Sequence, residues 1–167
     1  MKRSMHAAII ILALCAAPAF ALNPNIPQGG LPSAAQYSSH VLPELQGVVS
    51  WKTLAQVKPV KHGAKVTASF SKDIHDLDRK KAVVQGFMMP LDMGADQKHF
   101  LVSAVPPSCP FCLPAGPEAI VEVLAKKPVR YAMEPVLLSG TFVVLPDDPS
   151  GTLYRLTEAE VVETQLK

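Results

Sequence analysis

Residues 82–91 (AVVQGFMMPL) and residues 99–105 (HFLVSAV) decide the fold, because both are apolar and rich in strand-forming side chains. The polar segment between them, which includes DMGAD at residues 92–96, is typical of a hairpin connection. An antiparallel hairpin through residues 92–98 places Leu91 opposite His99 and Gln85 opposite Val105.

One position inside the first strand carries a further prediction. Gly86 lies within an apolar run, where glycine often marks a bulge or a close approach of two backbones. We therefore expect a bend there, with Phe87 and one of Met88 and Met89 in the core.

Four more segments outside the hairpin have strand-like composition and turn residues at their ends: 65–70, 120–124, 135–145 and 152–156. Thr157, with Glu160 three residues later, has the spacing of a capping box and predicts a helix over residues 158–164. The sequence predicts a mostly β protein, a small curved antiparallel sheet or barrel with a short C-terminal helix. The sequence has no strand–helix–strand alternation, so a parallel doubly wound sheet is not expected.

The first 21 residues have the three parts of a secretory signal peptide. Lys2 and Arg3 precede an apolar run at residues 7–17, and Ala19-Phe20-Ala21 follows as a cleavage site. The run is shorter than the ~18 residues that cross a bilayer as a helix, so we expect no membrane span after processing. We expect a periplasmic protein with a signal peptide at 1–21, a flexible lead-in at 22–47 and a single β-rich domain at 48–167.

Removal of the signal peptide changes the charge of the chain. The full sequence has a formal net charge of +2, which falls to 0 when Lys2 and Arg3 are lost. A neutral domain has no electrostatic reason to bind nucleic acid, so we expect no nucleic-acid partner.

The expected mature chain retains two cysteines, Cys109 and Cys112, in the loop sequence Ser-Cys-Pro-Phe-Cys. Three chemistries fit this spacing. The pair could form a structural disulfide in an oxidising compartment, hold Zn²⁺ or Cu⁺ through thiolates, or exchange disulfides with substrates. Pro114 and Pro117 argue against the helix that follows the cysteines of thioredoxin-like enzymes.

A metal would need further ligands from elsewhere in the chain. The predicted hairpin register brings the cysteine loop towards residues 71–78, which contain His75, Asp73 and Asp76. If a metal is bound, we expect His75 to be the third ligand. His99 sits at the turn end of its strand, about 20 Å from the position of Cys109, which argues against it as a ligand.

The motifs Gln85-Gly-Phe-Met-Met-Pro-Leu91 and His99-Phe-Leu-Val102, followed by Cys109 and a proline-rich run, resemble a known family. The chain is similar to the exported bacterial proteins of domain-of-unknown-function family 3299. The resemblance covers roughly residues 51–156 and implies a small oligonucleotide/oligosaccharide-binding-like (OB-like) barrel in the periplasm. It also implies an association with metal-uptake or ABC-type export systems, but it implies no enzymatic activity.

The chain departs from the family pattern at two points. Many relatives carry Cys-x-His, whereas this chain has Phe111 at the histidine position and Cys112 one residue later. Glu118-Ala119 also replaces the family's Asn-Gln. We expect a non-enzymatic periplasmic binding or accessory protein that handles a soft metal ion, zinc or copper, beside a membrane transport complex. The alternative is a thiol–disulfide oxidoreductase that uses Cys109 and Cys112.

Overall fold

The computed structural model describes residues 42–63, 65–106 and 116–162. All of them belong to one compact unit, Leu31–Lys167. The predicted signal peptide, most of the lead-in and the cysteine loop lie outside the described residues. In chain order the elements are α1 Trp51–Leu54, β1 Val57–His62, β2 Lys65–Phe70, α2 Lys72–His75, β3 Lys81–Pro90, β4 Asp96–Ser103, a 3₁₀ turn Pro117–Ala119, β5 Ile120–Arg130, β6 Val136–Val144 and β7 Tyr154–Val161.

Five strands form a closed barrel in the order β3-β4-β5-β7-β6, with β6 pairing back onto β3. All neighbours are antiparallel except β5 and β7, which run parallel. The predicted small OB-like barrel is therefore confirmed. Strands β1 and β2 form a separate two-stranded antiparallel sheet.

The barrel closes through β3, which changes partner at Gly86. Residues Lys81–Gly86 pair with β6, and Phe87–Pro90 pair with β4. A Cβ atom on Gly86 would lie 2.4 Å from Cγ1 of Val102 and 2.6 Å from the carbonyl oxygen of Ser103. The predicted close approach is confirmed, because only glycine leaves room for β4 at this point.

The hairpin register and its core residues also follow the prediction. Phe87 pairs with Ser103 and Pro90 with Phe100, which is the predicted offset between the two strands. Phe87 and Met88 are buried in the barrel, whereas Met89 is half-buried. The largest fully buried side chains include Phe100, Phe142, Tyr154 and Leu156.

The predicted C-terminal helix is wrong, because residues Tyr154–Val161 form strand β7. Glu158 adopts a left-handed φ of 50°, and one extra residue of β7 sits between its pairs with β6. This bulge turns both Leu156 and Ala159 into the core, where each is fully buried. Apolar residues three positions apart imitate helical spacing, and the local capping signal at Thr157 loses to barrel packing.

Two four-residue helices and the 3₁₀ turn cover one end of the barrel; we call α1, α2 and the Pro117–Ala119 turn the capped end. Leu54 and Ile74 are fully buried there. The hydroxyl of Tyr154 donates a 2.6 Å hydrogen bond to the carbonyl of Leu54. The indole of Trp51 donates a 2.9 Å bond to the carbonyl of Gln85. The capped end is thereby tied to the barrel at fixed points.

At the opposite end, the β3–β4 connection is organised by a buried glutamine. The amide of Gln97 donates to the carbonyls of Asp92, at 3.0 Å, and Gly94, at 2.8 Å. These bonds hold the turn that the sequence predicted. In the part of the chain that the structure describes, no helix has the length and apolar character that a membrane crossing requires.

Candidate functional site

The structure places one of the three predicted site residues. His75 is the last residue of α2 and its side chain is exposed. Its ring meets Phe70 edge-on, with ring centroids 6.0 Å apart and an interplanar angle of 82°. Cys109 and Cys112 lie outside the described residues, so their predicted roles stay predictions.

We call residues 107–115, which contain Cys109 and Cys112, the cysteine segment. The residues that flank it on the two sides are hydrogen-bonded to each other. The backbone N–H of Ala104 donates to the carbonyl of Ala119 at 3.0 Å, and the N–H of Ala119 donates to Gly116 at 2.9 Å. Ser103 adds a side-chain acceptor for the N–H of Val105 at 3.2 Å. The chain therefore departs from the end of β4 and returns at the start of β5 at one defined place on the barrel.

That place belongs to the capped end, where α1 contacts both α2 and the Pro117–Ala119 turn. Phe70 at the end of β2 contacts both α2 and β7, because its ring centroid lies 6.0 Å from that of His75 and 5.8 Å from that of Tyr154. Burial, together with the nearby charge of Glu118, raises the pKa of the Tyr154 hydroxyl above its usual value. His75 and the root of the cysteine segment thus share one end of the protein.

The carboxylates beside His75 differ in their surroundings. Asp76 accepts a hydrogen bond from the ammonium group of Lys72, one helical turn earlier, and this bond holds the pKa of Asp76 below its usual value. Asp73 and His75 are exposed on the same short helix. Within the described residues no three side chains of the metal-binding types converge on one point.

A polar cluster that sequence reasoning missed lies on the outer surface of the barrel. Glu122 of β5 accepts from Arg155 of β7 at 2.6 Å and lies 2.8 Å from Nε2 of His99 on β4. Arg155 also reaches Asp148 in the β6–β7 connection at 3.4 Å. The side chains of Glu122 and Asp148 are only 15% and 17% exposed. Water and salt therefore screen these ion pairs less than they would screen exposed pairs.

This cluster serves to hold strands and a loop together. The side chain and N–H of Ser150 donate to Asp148, and these bonds, more than Arg155, hold the pKa of Asp148 below its usual value. The alternation on β5, with Val121 and Val123 buried around Glu122, is the sequence signal for an outward-facing carboxylate. His99 therefore has a partner of its own on the strand face, four residues before the end of β4.

Comparison with solved structures gives one match. The chain is similar to a DUF3299 family protein. That protein comes from Pseudomonas aeruginosa PAO1, with 24% sequence identity and a TM-score of 0.45. The match covers 57% of this chain and 68% of the other chain. The matched protein belongs to the family that residues 51–156 of this chain resemble in sequence.

Two other comparisons found nothing. No family model matches the sequence, and no curated protein matches it.

Proposed function

We propose that this protein is an exported, non-enzymatic binding module whose cysteine segment holds one soft metal ion, Zn²⁺ or Cu⁺. Cys109 and Cys112 supply two thiolate ligands and His75 supplies a third. The metal-bound protein acts as an accessory to a transport complex in the membrane. The periplasm is the compartment in which the protein works.

The observation that carries the proposal is that the residues flanking the cysteine segment are hydrogen-bonded to each other. The Ala104–Ala119 hydrogen bond brings the two ends together at the capped end, and α1 joins that turn to the helix that ends at His75. Cys112 is four residues before Gly116, which limits the separation of their Cα atoms to about 14 Å.

The chemistry of the ligand set supports a soft metal. Thiolate sulfur favours Zn²⁺ and Cu⁺ over hard cations, and imidazole suits both ions. The ring nitrogens of His75 form no hydrogen bond within the described residues, and the side chain is exposed. Five prolines between residues 106 and 117 restrict the unbound loop, which reduces the entropy lost on binding.

The proposal is tested by titrating the reduced, full-length exported protein with Zn²⁺ and with Cu⁺. Wild-type protein is compared with a Cys109→Ser/Cys112→Ser double variant, with His75→Ala, and with the matched control His99→Ala. We expect the double variant to lose binding and His75→Ala to weaken it by more than about tenfold, since even outer-shell partners of a metal contribute 10–100-fold. His99→Ala should bind as the wild type does, because His99 faces Glu122 on the strand surface.

Two results would count against the proposal. Equal binding by wild type and double variant removes the cysteines from the site, and equal weakening by both histidine variants removes His75. Binding should also weaken as the pH falls, because the thiolates must lose protons to coordinate. An insulin-reduction assay on the same samples decides the alternative, since rapid reduction that depends on both cysteines would make the protein an oxidoreductase.

A further inference from the structure

A cavity of about 550 Å³ lies between the β1–β2 hairpin and the connection from β6 to β7, residues 145–153. This volume falls within the range of sites that hold small organic molecules. His75 is not among the described residues that line the cavity.

One wall of the cavity is the apolar face of the hairpin. Pro59 pairs with Ala68, so alternate residues of both strands, including Val57 and Val66, face the same side. Phe70 at the end of this face packs against Tyr154 of the barrel. The remainder is left uncovered: Val66 is 56% exposed. A hairpin in water gains stability when such a face is covered, so this wall favours an apolar ligand.

The opposite wall is apolar and held in place. Leu145, Pro146 and Leu153 line it. The N–H of Leu145 donates to the carbonyl of Leu153 at 2.9 Å, which closes the base of the connection. The bonds from Ser150 and Arg155 to Asp148 fix its tip. The cavity is thus largely formed before a ligand arrives, which lowers the cost of binding.

The charged residues that line the cavity are acidic, but two basic residues are next to them: Arg155 pairs with Asp148, and Lys61 lies opposite Val66 on the hairpin face. Glu118, Asp147 and Asp148 line it, and none of the described lining residues is basic. Arg155 balances Asp148. The carboxylate of Glu118 lies against the backbone of Gly116 at the same rim, within 2.4–2.5 Å of where a Cβ atom there would stand. Beside Glu118, therefore, an anionic group is disfavoured and a cationic group is attracted.

We propose that this cavity is a binding site for a small amphiphilic cation, a molecule with an apolar chain and one positively charged amine or ammonium group. The apolar chain lies between the hairpin face and residues 145–153. The positive group lies at the rim beside Glu118.

The test uses three probes with the same eight-carbon chain: octyltrimethylammonium, 1-octanol and octyl sulfate. Each is titrated calorimetrically into the full-length exported protein, below its micelle concentration. We expect one octyltrimethylammonium per chain, weaker binding of octanol, and binding of octyl sulfate weaker than that of the cation by about tenfold or more. Failure of all three to bind, or equal binding of cation and anion, would overturn the proposal.

Two variants locate the binding. Ala68→Trp fills the cavity and should abolish binding, whereas Ser69→Trp, exposed on the other face of the same strand, should not. Equal effects of both would contradict the location. Glu118→Gln should weaken the binding of octyltrimethylammonium by about threefold to tenfold and leave the binding of octanol unchanged. This comparison does not depend on whether Ala68→Trp folds. If sedimentation shows a dimer for the wild type but a monomer for Ala68→Trp, the face binds a second copy of this chain and the ligand proposal is wrong.

Discussion

Replacement of Gly86 by alanine should destabilise the barrel at the point where β3 changes partner. The added Cβ would lie 2.4 Å from Cγ1 of Val102, more than 1 Å inside the ~3.5–4.0 Å of an ordinary carbon contact. It would also lie 2.6 Å from the carbonyl oxygen of Ser103, a backbone atom fixed in the β4 ladder. Overpacking of this kind costs about 1–3 kcal/mol, and the lower entropy of the unfolded alanine chain offsets about 0.4–1 kcal/mol. The net loss is about 1–2 kcal/mol.

Thermal unfolding followed by circular dichroism measures this loss. A change of 1 kcal/mol shifts Tm by about 2–4 °C in a chain of this size, so we expect Gly86→Ala to melt about 2–8 °C below wild type. Gly116→Ala is the matched control, because its Cβ would meet only the flexible carboxylate of Glu118. Its φ of −67° also suits alanine. We expect it to change Tm by less than the Gly86 variant. Equal Tm values for wild type and Gly86→Ala would refute the close approach as the reason for glycine.

Three further predictions follow from the packing and the sequence. Tyr154→Phe leaves a buried carbonyl without its donor and should cost about 1–3 kcal/mol in chemical denaturation. Because burial raises the pKa of this hydroxyl above its usual value, the wild type should lose more stability than the variant as the pH rises above about 10. Arg155→Met should lower the free energy of unfolding by about 1.5–3 kcal/mol, because it removes the charged hydrogen bond to Glu122. The exposed control Lys126→Met should change it by no more than about 0.5 kcal/mol. Equal losses in the two variants would show that the cluster has no special role in stability. Mass spectrometry of the exported protein should give a first residue of Leu22, and a chain that retains Lys2 would contradict export through residues 1–21.

The hairpin was predictable because two independent signals agree there. Two apolar runs rich in strand-forming side chains and the polar turn between them specify the same register, so Phe87 and Ser103 pair as expected. Gly86 announced the close approach by its position inside an apolar strand. These are local patterns, and the barrel preserves them.

The C-terminal strand was not predictable by the same reasoning. The bulge at Glu158 changes the phase of β7, so Leu156 and Ala159 share the core although a regular strand would separate them. Helices α1 and α2 have four residues each, and their N-cap serines, Ser50 and Ser71, are the only local marks they carry. Their positions depend on contacts with distant strands rather than on periodicity.

The candidate site was predictable only in part. The sequence predicts soft-metal chemistry for Cys109, Cys112 and His75, and of these three the structure describes only His75. The union of Glu122, Arg155 and Asp148 depends on the parallel pairing of β5 with β7, which strand patterns do not specify. The cavity beside the β1–β2 hairpin depends likewise on how that hairpin stands against residues 145–153.

The metal content of protein purified from the periplasm, without a metal-binding tag or chelator, tests the central claim most directly. Elemental analysis of the reduced wild type should find about one equivalent of zinc or copper per chain. A Cys109→Ser/Cys112→Ser variant purified in parallel should contain neither metal. Wild-type protein without either metal, or equal metal in both proteins, would contradict the proposed metal-binding function.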